Sequence, residues 1–72
     1  MTLKEASDGA EYTIAEVNVD DEELSSFLFS LGCYKGAGIT MVMHLKGSCV
    51  VYIKNGRYSI DNRLADLIEI SS

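Results

Sequence analysis

The chain has 72 residues, 47% of them hydrophobic, with two cysteines, no proline, no tryptophan and a formal net charge of −5. That length suits one domain spanning residues 1–72 with a small core, burying roughly 60% of the surface that the unfolded chain exposes. No run of about 18 apolar residues is present to insert in a membrane, and the acidic balance argues against nucleic acid as a partner.

The N-terminus, "MTLKEASDGAEYT", is acidic and lacks the apolar stretch of a secretory signal, so the expected location is the cytoplasm. "EYTIAEVNV" (11–19) is rich in β-branched and aromatic residues and predicts a strand. "NVDDEEL" follows as a helix start, with Asp20 as the cap, Glu23 three residues on, and acids at the positive end of the helix dipole. The helix, over about residues 20–31, would bury Leu24, Phe27, Leu28 and Leu31 at the i, i+3, i+4, i+7 spacing. Phe29 lies about 150° from the centre of that stripe, by the ~100° step per residue, and is a candidate for contact with a partner. Gly32 then supplies the left-handed residue that closes a helix.

"ITMVMHL" (39–45) and "SCVVYIK" (48–54) predict two strands joined through Lys46-Gly47. Asn55-Gly56 predicts a second hairpin leading into "RYSI". A helical turn at "DNRLA" (61–65) and a last strand, "DLIEIS" (66–71), complete the chain. About five short strands and one helix are best satisfied by a small, nearly closed β-barrel, a mainly β fold. Any exposed strand edges that remain predict weak self-association.

Lys35 among Gly32, Gly36 and Gly38 resembles a phosphate-gripping loop, but the order is wrong. Such loops run strand, glycines, helix, whereas these glycines follow a helix and precede a strand, so the nearby helix end is the negative one. Neither G-x-x-x-x-G-K-[ST] nor G-x-G-x-x-G occurs. The glycines read as turn residues, and no cofactor is expected. Cys33, His44 and Cys49 could offer three metal ligands, yet their spacing fits no familiar ligand pattern, and free core thiols with an outward imidazole explain them more simply. His44, alternating with Ile39, Met41 and Met43, is expected to point away from them. The acidic run Asp20–Glu23 lacks the spacing and glycine of a calcium loop. No catalytic constellation is present.

Charge is split along the chain. Residues 1–23 hold eight acids against Lys4 alone, whereas residues 24–60 hold no acid and the four bases Lys35, Lys46, Lys54 and Arg57. Such a polarity can orient a small protein against a charged partner.

Taken together, "DGAEYTI", "LSSFLFSLGCYKGAGITM" and "GRYSIDNRLADLIEI" resemble the FeoA family, the small ferrous iron transport protein A. The most specific part is the pattern Leu-x-x-x-Leu-x-x-Leu-Gly-x-x-x-Gly-x-x-Val, met here by Leu24, Leu28, Leu31, Gly32, Gly36 and Ile39. The closing pattern falls on Tyr58, Ser59, Ile60, Ala65, Ile68 and Ile70. Two features depart from it: Ser25, Ser26 and Phe27 stand where the family often has arginines, and prolines are missing before Gly9 and Gly36. The resemblance implies a five-stranded SH3-like β-barrel with an inserted helix, shared with the C-terminal domain of diphtheria-toxin-repressor-type metalloregulators. It also implies a non-enzymatic accessory of bacterial ferrous iron uptake that contacts the cytoplasmic part of the transporter FeoB, at the inner face of the membrane.

The expected contact residues, chosen from charge and helical phase, are Phe29, Lys35, Lys46, Lys54, Arg57 and Tyr58. Two alternatives remain at this point: a transition-metal-binding protein using Cys33, His44 and Cys49, and an SH3-like peptide-binding module with Tyr34, Tyr52 and Tyr58 forming an aromatic groove.

Overall fold

The computed structural model describes residues 1–71. Five strands and two helices follow in the order β1 (Glu11–Val17), α1 (Glu22–Leu31), β2 (Gly38–Leu45), β3 (Ser48–Ile53), β4 (Gly56–Asp61), α2 (Asn62–Ala65) and β5 (Ile68–Ser71), after a 3-10 turn at Leu3–Glu5. The strands form one antiparallel sheet in the order β4-β3-β2-β1-β5. This is the mainly β architecture expected from the strand count, in the SH3-like form that the family resemblance implies. The hydrogen-bonded wall stops between β4 and β5, which are not paired. There α2 packs on β3, β4 and the N-terminal turn, and that turn packs on β5.

Breaks in register fall between Ile14 and Glu16 on β1 and between Met41 and Met43 on β2. Extra residues of this kind bend and twist a strand, which lets a short sheet curl around its own core. They also reset which side chains face inward. Ile39 and Met41 are buried, whereas Met43 and Leu45 are exposed, contrary to an unbroken alternation through the strand. His44 consequently turns toward the N-terminal segment. Its Nε2 lies 3.1 Å from the Lys4 carbonyl and its Nδ1 2.6 Å from Asp8 Oδ1.

α1 begins at Glu22, one residue later than a cap at Asp20 would place it, because Asp21 is the cap. Its carboxylate accepts from the N–H groups of Glu23 and Leu24 at 2.9 and 3.2 Å. The helix ends in a complete Schellman motif: Cys33 N–H donates to the Leu28 carbonyl, Gly32 N–H donates to that of Phe29, and Gly32 adopts φ +98°. A ten-residue helix is marginal in water by itself, so these caps and the burial of Leu28 hold it in place. Leu24 and Leu31 are half-buried, but Phe27, expected in the stripe, is 58% exposed. The contact with the sheet is centred on Leu28, and Phe27 falls beyond its edge.

The N-terminal segment does more than its sequence suggests. Leu3 is fully buried, and the segment extends the sheet through the Thr2–Glu69 bridge and the bond from Ile70 N–H to the Met1 carbonyl. The outer edge of β5 is thereby covered in part, one of the ways proteins protect strand edges. The Thr2 N–H, 2.7 Å from Glu5 Oε1, holds the Glu5 carboxyl below its ordinary pKa. No helix of the described residues is long and apolar enough to cross a membrane.

Candidate functional site

The glycine loop after α1 is structural. Gly36 N–H donates to the Ile14 carbonyl at 2.7 Å, Ile14 N–H donates to the Ala37 carbonyl at 2.8 Å, and Ala37 N–H donates to the Tyr34 carbonyl at 3.0 Å. The first two bonds stitch the loop to β1 and the third closes the loop on itself, so the Gly36 and Ala37 amides are not free to cradle an anion.

What the loop does is present Tyr34. The Schellman turn reverses the chain so that Tyr34 lies against Phe29, with ring centroids 4.9 Å apart and planes inclined by 37°. From a third segment, the β3–β4 turn, Lys54 places Nζ 5.3 Å from the Tyr34 ring centroid. A cation over a tyrosine face is attracted by the ring quadrupole, by about 0.5–1 kcal/mol where exposed. Lys54 sits at φ +55°, the only non-glycine residue with positive φ among those described. The residue is therefore held in a left-handed conformation costly for a side chain with a Cβ. Lys54 makes no ion pair among the described residues.

The turn itself differs from expectation by one residue. Ile53 pairs with Gly56, so the loop is Lys54–Asn55 and Gly56 already belongs to β4. Tyr58 explains the glycine there: a Cβ on Gly56 would come within 2.6 Å of the Tyr58 hydroxyl.

Beside this cluster a groove of about 410 Å³ crosses the outer face of the sheet. Gly38 and Thr40 line it from β2, Glu11 and Thr13 from β1, and Tyr52 and Lys54 from the β3 side. Cross-strand register builds this arrangement: Glu11 pairs with Thr40, Thr40 with Tyr52, and Tyr52 with Arg57. The four side chains form one row across four strands, with an acid at one end and a base at the other.

Of the residues singled out by sequence, Phe29 and Lys54 meet around Tyr34, and Arg57 lies beside the groove in register with Tyr52. Lys35 is exposed and reaches back toward Glu16 on β1, at 4.0 Å. Lys46 does not join them. Its hairpin is at the other end of β3, five steps or about 17 Å away. Tyr58 is half-buried: it pairs with Val51 and packs against the core. The three tyrosines proposed for an aromatic groove therefore separate, with Tyr52 outside, Tyr58 inside and Tyr34 in the loop. Glu11, Thr13, Gly38 and Thr40 carry no chemical motif, so only the strand register could have pointed to them.

Cys33, His44 and Cys49 are not assembled into a metal site. No group of three or more His, Cys, Asp or Glu side chains among the described residues is placed to hold an ion. His44 pairs in register with Cys49, but its ring nitrogens face Asp8 and Lys4. Both thiols are buried and free. Burial pushes the Cys33 thiol up to about 11 and raises that of Cys49 as well, with the Asp61 charge adding to the latter.

A family model described as the FeoA domain matches residues 1–72. The solution structure of iron(II) transport protein A from Clostridium thermocellum is 30% identical, with a TM-score of 0.84, and the match covers 97% of this chain. This chain spans 44% of the length of that protein. The crystal structure of Stenotrophomonas maltophilia FeoA complexed with zinc, described as a prokaryotic SH3 domain protein, is 20% identical with a TM-score of 0.83, over 99% of this chain and 89% of that one. A manganese-dependent transcriptional repressor in complex with manganese gives a TM-score of 0.86 at 18% identity, over 99% of this chain and 35% of that one. The last two likenesses are of fold. No curated protein sequence matches the chain.

Proposed function

The chain belongs to the FeoA family, which is associated with ferrous iron transport, and from that premise we propose that it is a non-enzymatic cytoplasmic accessory of ferrous iron uptake. It acts by protein–protein contact with the cytoplasmic part of a FeoB-type transporter, which brings it to the inner face of the membrane. The observation that carries this reading is the Phe29–Tyr34–Lys54 cluster. Phe29 is 64% exposed, and its neighbours Tyr34 and Lys54 arrive from two other segments. Exposed aromatic side chains are enriched at interface centres, and a lysine beside them with no ion-pair partner among the described residues can steer an oppositely charged partner.

Phe27 supplies the internal control, since it is 58% exposed on the same helix and has no part in the cluster. Uptake of radiolabelled ferrous iron by cells whose only copy carries Phe29→Ala is expected to fall toward the level of a deletion strain. Phe27→Ala should leave uptake near wild type. Full uptake with Phe29→Ala would contradict this assignment.

A further inference from the structure

The groove lies directly beside the cluster, and we propose that it receives an acidic, extended segment of a protein partner, with a carboxylate of that segment on Lys54. This deepens the reading of Phe29, Tyr34 and Lys54 as a docking surface and rests on it. The argument begins with the shape of the groove. Gly38 contributes no side chain to the floor, and a Cβ added there would meet nothing within 4 Å. Bare backbone is thus open between a wall on β1 and a wall on the β3 side, which carries Tyr52 as an apolar surface.

Charge selects the occupant. Lys54 has no carboxylate partner among the described residues, its ammonium lies over the Tyr34 ring, and it belongs to the acid-free segment 24–60. Arg57 extends the positive side of the groove through its register with Tyr52. The acids at the start of α1 do not cancel this field. The helix places them about 15 Å from Gly32, beyond a Debye length of about 8 Å at physiological ionic strength. Glu11 on the opposite wall disfavours a polyphosphate or a nucleic acid, which would place charge against both walls. A protein segment can instead set a carboxylate on Lys54 and a neutral or basic residue beside Glu11. The backbone at Lys54 fits the same use: a costly conformation is retained at the residue that would make the charged contact.

The test uses the whole chain, labelled with 15N, and three probes. One is an acetylated and amidated peptide of about ten residues alternating glutamate with phenylalanine; the other two replace every glutamate by glutamine or by lysine. The expected result is that the glutamate peptide shifts the amides of Gly38, Thr40, Tyr52 and Lys54. The glutamine peptide should bind about tenfold more weakly, and the lysine peptide more weakly still. Lys54→Asn keeps a residue that tolerates the left-handed turn and should lose most of the preference for glutamate over glutamine, leaving only the share that Arg57 supplies. Equal binding of these two peptides by the unaltered chain would overturn the proposal, as would shifts confined to the exposed Met43 and Leu45, or no binding at millimolar peptide.

Competition separates this proposal from the reading beneath it. If the cytoplasmic domain of the transporter binds and saturating glutamate peptide does not displace it, the groove proposal fails and the docking partner stands. If the peptides discriminate as expected and the transporter domain does not bind, the groove stands and the partner is wrong.

Discussion

Gly32 couples the helix cap to the cluster, and replacing it with alanine tests that coupling. Its φ of +98° costs a residue with a Cβ about 1–2 kcal/mol. The added methyl would also lie 3.0 Å from Ile53 Cγ2 and 3.0 Å from Cδ and Cε of Lys54. Ile53 is buried and cannot retreat, so this crowding adds about 1–2 kcal/mol, the lower part of the overpacking range. The total, about 2–4 kcal/mol, corresponds to a fall in Tm of roughly 10–30 °C for a chain of this size. Gly36 provides the comparison. Its φ is +92°, yet a Cβ there meets nothing within 4 Å, so Gly36→Ala should cost only the backbone share, about 1–2 kcal/mol. Urea melts of both variants measure the difference. The same crowding moves Lys54 off the Tyr34 ring, so Gly32→Ala should also weaken partner binding. If Gly32→Ala proves no more destabilising than Gly36→Ala, the close approach of α1 to the β3–β4 turn is refuted.

Two further outcomes concern the core. Leu3→Ala should cost about 2–5 kcal/mol in urea unfolding despite its place near the N-terminus, because the side chain is fully buried; a loss under 1 kcal/mol would show that the 3-10 turn does not plug the barrel. Cys33 and Cys49 should react with iodoacetamide at pH 8 only when the chain is unfolded in urea. The folded pKa of Cys33, about 11, is raised above the ordinary thiol value of 9.0, so its contribution to stability is complete below pH 9 and is lost as pH rises toward 11. Native-state alkylation at the rate of a free thiol would contradict the burial.

Much of the fold was legible because local signals and burial agree. The β-branched run of β1, the acidic start of α1 with Gly32 at its close, and the turn at Asp61–Ala65 each have a local physical cause. Where a local rule competes with packing, packing decides. The Asn-Gly signature marks a hairpin, but Gly56 is required by the Tyr58 ring above it, and the left-handed turn position falls to Lys54. The break in β2 lies within the apolar run "MVM", so nothing in composition shows that Met43 will face solvent. Phe29 could be singled out from helical phase alone. Its meeting with Tyr34 and Lys54 could not, because the three residues converge only when the Schellman turn and the β3–β4 turn are both in place. Lys46 shows the converse: it shares the charge pattern with Lys54, but a whole strand separates the two in space.

The most direct test of the central claim is a fluorescence-anisotropy titration of the labelled chain with the soluble cytoplasmic domain of the FeoB-type transporter from the same organism, at low and high salt. The account predicts saturable binding that weakens as salt rises, is reduced about tenfold by Phe29→Ala, and changes by less than about twofold with Phe27→Ala. No saturable binding by the folded chain, or equal losses from the two phenylalanine variants, would contradict it.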